Sequence, residues 1–191
     1  MGAQDSEDGF GEVFDRYAPA ILRYAQRRLD SREAAQDVVS ETFTVAWRHW
    51  ARRPAPAVLL PWLYAIAANA VRDQWRSAQR QRRLTGRLSA LRPAGHSADP
   101  GEGVVLSHSI SQALAALPEA DREVLRLVAW EGQTDARMLG VALGVRPASA
   151  RSRVLRARRR LRALLDEAEN PGCGPAAQVP AASPHGHARE A

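Results

Sequence analysis

The residues best placed to do chemistry are arginines near the end of the chain. From Arg146 through Arg162 there are eight Arg and no acidic residue. If a helix starts at Pro147, then Ala150, Val154, Ala157, Leu161 and Leu164 form one apolar stripe. At about 100° per residue, Ser152, Arg156 and Arg159 point directly away from it, and Ser149, Arg151 and Arg153 flank them. Such a face, without interleaved acids, gains nothing from pairing along the helix. It suits polyanions: guanidinium groups neutralise phosphates and pair bidentately with guanine in a major groove. The alternative is the solvated face of an ordinary amphipathic helix. Upstream, Leu139 and Leu143 point inward and Gly140 sits where two helices must approach closely. Gly144 is suited to a left-handed turn. The segment Thr134–Arg160 therefore reads as a helix-turn-helix.

Two further faces lie earlier in the chain. Asp37, Glu41, Thr44 and Arg48 fall opposite an apolar stripe of Val39, Phe43, Ala46 and Trp50. Pattern alone favours a solvated surface there, with a docking surface as the alternative. Trp62, Asn69, Asp73 and Arg76 share a face distinct from that of Leu63, Ile66, Ala67 and Ala70. Trp62 is either core or a platform on which an unpaired base stacks. Arg72, Arg76, Arg80, Arg82 and Arg83 follow, so the stretch is basic with aromatic residues interleaved.

Other chemistries are poorly represented. The five His (His49, His96, His108, His185 and His187) pair with no spaced carboxylate cluster suited to a metal or a catalytic triad. His185-Gly186-His187 is a weak metal signal in a Pro/Ala-rich tail. No Gly-rich phosphate loop is present. No catalytic residue, metal or cofactor is expected, and the chain does not read as an enzyme. One cysteine, Cys173, excludes an internal disulfide framework. No apolar run reaches eighteen residues, so no membrane insertion is expected. The opening MGAQDSEDGF is acidic and polar, unlike a secretory signal, and a cytoplasmic protein is expected. All 27 basic residues are Arg, and the formal net charge is +6.

These faces need helices to hold them, and nearly all the periodic signal is helical. Short β-branched runs with period-two alternation are missing. The sequence predicts an all-α chain of two small helical domains joined by a flexible linker. The first spans 10–82. Phe10, Phe14, Tyr17, Ile21 and Tyr24 recur at helical spacing, Asp30 with Glu33 resembles a capping box, and Pro61 opens a third helix. The linker spans 83–109, with a short helix near Leu84–Leu91. The second domain spans 110–167. Ile110, Ala113, Leu114 and Leu117 give one face, and Pro118 starts a helix with Val124, Leu125 and Val128. Two more helices follow, Met138–Leu143 and Pro147–Leu165. Arg146 occupies the N-cap of the last, and Asp135-Ala136 leaves the start of its predecessor undefined. Residues 168–191 read as a disordered tail.

Together these segments resemble the extracytoplasmic-function (ECF) sigma factors. Phe14-Asp15-Arg16-Tyr17-Ala18-Pro19 resembles the family's opening helix. Asp37-Val38-Val39-Ser40-Glu41-Thr42-Phe43 with Ala46-Trp47-Arg48 resembles its polymerase-binding helix. Pro61-Trp62-Leu63-Tyr64-Ala65-Ile66-Ala67-Ala68-Asn69 resembles its promoter-melting helix. Leu114–Pro118, Arg122–Leu125, Ala142–Val145 and Ser152–Arg158 resemble region 4. The resemblance implies that 10–82 is region 2 and 110–167 is region 4. It implies that Asp37, Glu41, Thr44 and Arg48 dock on the clamp helices of the polymerase β′ subunit, against the solvated reading. It implies that Arg53, Trp62, Asn69, Arg72, Asp73 and Arg76 capture the minus-10 element. It implies that Ser149, Arg151, Ser152, Arg153, Arg156 and Arg159 read the minus-35 element, while region 4 engages the β flap. Core RNA polymerase and promoter DNA are the implied partners, and the family admits an anti-sigma factor. The pattern departs from the family at Arg52–Pro56 and Gln133–Asp135. A helix-turn-helix regulator acting without polymerase explains 107–167 but neither of the earlier faces.

Overall fold

The structure, a computed structural model, describes residues 3–85 and 108–169. Those residues form seven α-helices. They are α1 (Ala3–Gln26), α2 (Arg32–Arg48), α3 (Leu59–Thr85), α4 (His108–Ala116), α5 (Glu119–Ala129), α6 (Ala136–Leu143) and α7 (Pro147–Glu169). Two short 3-10 turns, Trp50–Arg52 and Pro56–Val58, carry the chain from α2 to α3. The described residues contain no strand.

Local chemistry explains most of the boundaries, with two corrections to the expected ones. The expected capping box at Asp30 and Glu33 does not form. Ser31 is the N-cap of α2, its hydroxyl accepting from Ala34 N at 3.2 Å. A side-chain acceptor three residues back satisfies one amide left orphaned at the helix start. The third helix opens at Leu59 rather than Pro61. Pro61 lies within the first turn, where its missing N–H costs nothing. Asp135 caps α6 by accepting from the amides of Arg137 and Met138 at 2.8 and 3.0 Å, which defines a start that sequence left open. Helix α3 runs to Thr85 and α4 begins at His108. The rest of the expected linker, including most of the short helix near Leu84–Leu91, lies outside the described residues, as does the tail from 170 onward.

The first three helices pack around Ile21, Tyr24, Ala25, Val38, Phe43, Leu63 and Ala67, all buried. Of the expected α1 stripe, Ile21 and Tyr24 are buried, whereas Phe14 is 40% exposed. The last four helices pair through α4·α7, α5·α7 and α6·α7 packing. Leu117, Leu125 and Ala157 form a small core there, with Leu114, Leu161 and Leu164 against it. Asp121, buried on α5, pairs with Arg160 of α7.

The two groups of helices meet. Helix α3 packs on α6. Leu127, Leu139, Ala142 and Ala150 belong to the same buried apolar cluster as Ile21, Leu63 and Tyr64. Polar groups cross the same seam. Arg28, with its side chain fully buried, pairs with Glu123 at 2.8 Å and Glu131 at 3.2 Å. The Tyr24 hydroxyl donates to Glu123 at 2.8 Å. At its rim, Arg27 donates to Trp130 O at 3.2 Å, pairs with Glu131 at 3.4 Å and lies over the Trp130 ring.

Candidate polymerase and nucleic-acid faces

Helix α2 buries Ala35, Val38, Thr42, Phe43 and Ala46. Thr42 is polar, and its hydroxyl donates to Val38 O at 2.6 Å, which removes the cost of burying it. The opposite side presents Asp37, Glu41, Thr44 and Arg48, all exposed. Among the described residues no ion pair engages Asp37 or Glu41. Beside this face lies an aromatic group that sequence reasoning did not single out. Phe10 meets Trp47 and Trp50 edge-on, with ring centroids 4.9 and 5.0 Å apart, and Phe14 meets Phe43 at 4.8 Å. Trp50 is buried, but Trp47 is 44% exposed. A large apolar surface left in water next to carboxylates is the composition of a protein-docking patch. The signal available in the sequence was Trp47 three residues after Thr44, on the polar side of α2.

The connection to α3 holds Arg53 back. Its guanidinium lies 4.4 Å from the centre of the Trp50 ring, and its Nη1 donates to Trp50 O at 3.2 Å. Arg53 is thus exposed yet positioned by an aromatic plate.

Along α3, Asn69, Arg72, Asp73 and Arg76 are exposed and Trp62 is half-buried against the core. Trp62 is thus neither wholly core nor wholly exposed: one portion packs and the remainder faces out. The polar members are already engaged with each other. Arg72 donates to Asn69 Oδ1 and, at 3.1 Å, to Ala68 O. Arg76 pairs with Asp73 at 3.1 Å. These exposed pairs are weak and exchangeable. Both guanidinium groups also donate to carbonyls of their own helix, Arg72 to Ala68 O and Arg76 to Arg72 O, and so lie back along its surface.

In the last unit, Gly144 adopts φ +64°, the left-handed turn that ends α6. Gly140 is needed for a different reason. A Cβ there would lie 2.8 Å from Val145 O, whose own amide donates to Gly140 O at 2.8 Å. This close approach sets α7 across α6. On α7, Ala150 and Ala157 are buried, with Val154, Leu161 and Leu164 half-buried. Arg151, Ser152, Arg156 and Arg159 are exposed, whereas Ser149 and Arg153 are partly covered. Leu155, absent from the expected set, is 52% exposed on the same outward side.

The seam carries the strongest electrostatic perturbations. Burial pushes the Tyr24 phenol well above its usual range, with Arg28 opposing and Glu123 adding to the rise. Burial also lifts Tyr64 to about 12. Burial works against the Arg28 charge, but Tyr24, Glu123 and Glu131 outweigh it and the guanidinium is held more firmly protonated than usual. Burial and the neighbouring Arg28 lower Arg126. No group of three or more His, Cys, Asp or Glu among the described residues is arranged to hold a metal. No helix there is long and apolar enough to cross a membrane.

The chain is similar in sequence and in fold to known proteins. The Sigma-70 region 2 family matches residues 13–81. RNA polymerase sigma factor CarQ of Myxococcus xanthus is 30% identical over 164 residues, covering 86% of this chain and 93% of CarQ. ECF RNA polymerase sigma factor SigL of Mycobacterium tuberculosis is 30% identical over 160 residues, covering 81% and 88%. A chain from the complex of sigma factor RpoE with the anti-sigma factor NepR from Bartonella quintana has a TM-score of 0.58 at 25% identity, covering 83% of this chain and 97% of that one. The structure of CnrH with the cytosolic domain of CnrY gives 0.57 at 26% identity, covering 86% and 94%.

Proposed function

Because this chain belongs to the ECF sigma factors, which bind core RNA polymerase and direct promoter-specific initiation, we propose a division of that work among its three exposed faces. Asp37, Glu41, Thr44 and Arg48 dock on the β′ clamp helices, with Trp47 supplying apolar contact. Arg53, Trp62, Asn69, Arg72, Asp73 and Arg76 hold the minus-10 element, Trp62 stacking on an unpaired base. Ser149, Arg151, Ser152, Arg153, Arg156 and Arg159 read the minus-35 element, and the same unit engages the β flap. Residues 10–82 act as region 2, 83–109 as the linker and 110–167 as region 4. The chain acts in the cytoplasm, as an initiation factor rather than as an enzyme. An anti-sigma factor is a further partner, as it is for RpoE of Bartonella quintana.

One observation carries this reading: the acidic α2 face, the Trp–Arg α3 face and the acid-free α7 face are exposed on three different helices of one scaffold. A regulator acting alone has use for the third face only. Run-off transcription with core polymerase and a promoter library tests it. Transcripts dependent on this chain and on two spaced promoter elements are expected. Binding to a single DNA site that core polymerase neither requires nor enhances would overturn the reading.

A further inference from the structure

In the sequence the arginines from Arg146 through Arg162 form one acid-free run, and the fold sorts them into groups with different surroundings. At about 100° per residue, Arg156 and Arg159 take the outward face of α7. Arg153 and Arg160 share the flank turned to α5. There Arg153 is partly covered, and Arg160 pairs with Asp121. Arg151, Arg158 and Arg162 take the other flank, within an arc of about 60°, and all three are exposed. Among the described residues no ion pair engages any of these three. Leu155 stands among them and is 52% exposed.

This flank costs the free chain stability and gives nothing back within it. Arg158 and Arg162 are four residues apart, a spacing at which like charges destabilise a helix. A solvated face interleaves acids, and this flank has none between Arg151 and Arg162. An uncompensated row of guanidinium groups is matched by a row of anions, and the distances say which anions. Helix α7 has 23 residues. At ~1.5 Å per residue it is about 35 Å long. A straight helix of that length outruns a major groove about 12 Å wide and about 8.5 Å deep. Its N-terminal residues are the ones that touch base edges. Arg158 and Arg162 stand about 9 and 15 Å farther along the axis than Ser152. They emerge at the rim of the groove, where phosphates rather than bases are in reach.

We propose that Arg158 and Arg162 form a phosphate clamp on the backbone bordering the minus-35 element. They grip without reading sequence, and so fix the register in which the N-terminal half of α7 meets the bases. The clamp is one-sided, because Asp121 holds Arg160 on the opposite flank. This rests on the functional reading above.

Promoter binding by holoenzyme reconstituted from the full-length chain and core polymerase tests it. Affinity is measured between about 50 and 200 mM KCl, on the cognate promoter and on one with a scrambled minus-35 element. R158A/R162A is expected to lower the slope of log affinity against log salt by about 2, at ~0.9 for each phosphate contact. It should weaken binding by the same factor, about tenfold, on both promoters, with helical circular dichroism unchanged. R158K/R162K keeps the charges and is expected to keep the wild-type slope. An unchanged slope in the alanine variant overturns the clamp. So does a loss confined to the cognate promoter, which would make the two arginines readers of bases. A lysine variant with the slope of the alanine variant overturns it as well. Equal binding of both promoters by the wild-type holoenzyme is the failure of the functional reading of α7 instead, and the salt slopes of wild type and alanine variant then decide the clamp.

Discussion

Arg28 and Glu123, 95 residues apart in sequence, form a two-pronged ion pair across the contact between the first three helices and the last four. The fork of a guanidinium matches a carboxylate only when both are held in one plane. Here the turn after α1 and helix α5 supply that alignment from opposite sides. The pair therefore reports on the relative placement of two units more sharply than any apolar contact does.

Removing one partner should be costly. Arg28→Met leaves Glu123 and Glu131 facing each other with less compensation. A loss of about 3–5 kcal/mol in urea denaturation is expected. Adding Glu123→Gln and Glu131→Gln should recover part of it, with a coupling of about 0.5–3 kcal/mol. Simple additivity of the three changes would show that the groups do not act as a network.

The α2 face should behave differently, because its side chains are exposed and no ion pair among the described residues engages Asp37 or Glu41. Asp37→Arg and Glu41→Arg are expected to leave stability within about 0.5 kcal/mol of wild type. Each should lower affinity for core polymerase by about tenfold or more, since reversed charge at a docking rim repels the partner. Co-purification with core polymerase and a denaturation curve check the two halves of the statement. Undiminished co-purification would remove this face from the docking surface.

On α7, Arg156 is exposed and has no acidic neighbour along its helix. Arg156→Ala is expected to cost about 1–3 kcal/mol at the cognate minus-35 sequence. That is about 5- to 150-fold in affinity. The loss should be smaller on a sequence changed at the contacted base pair. Equal losses on both duplexes would assign Arg156 to the phosphate backbone rather than to a base.

Alkaline pH should loosen the molecule at the seam. Burial holds Tyr24 well above, and Tyr64 at about 12 against, the ~10 of an unperturbed phenol. The folded chain thus keeps protons that the unfolded chain releases. The contribution is complete below about pH 10 and is lost as pH rises through the folded values. Urea midpoints taken between about pH 9 and pH 12 should fall, and Tyr24→Phe should flatten the fall. A midpoint independent of pH over that window would contradict the burial assigned to these phenols.

Much of the fold was legible because its signal is local. The apolar stripes of α2 and α7 and the left-handed Gly144 each follow from residues within a turn or two of one another, and the structure contains them. Local signals also misled by small steps. Asp30 and Ser31 are both good caps, and the structure uses Ser31. The neighbouring Arg28 carbonyl is taken by Trp75, a contact between the α1–α2 turn and α3 that no sequence window contains. Phe14 lies on the expected α1 stripe, but the bundle leaves it 40% exposed beside Phe43.

The sequence by itself determined the helices, the turn between α6 and α7, and which side chains could share a face, because a 3.6-residue period converts spacing directly into direction. It said nothing of Arg28, Tyr24, Glu123 and Glu131 as a unit. Arg28 read as one arginine among 27, Tyr24 as a member of an apolar stripe, and Glu123 only as part of the Arg122–Leu125 segment. Pairing across about a hundred residues leaves no periodic trace. Only the packing of the last four helices on the first three buried those charges together, and burial is what turns an unremarkable arginine into the centre of a charge network.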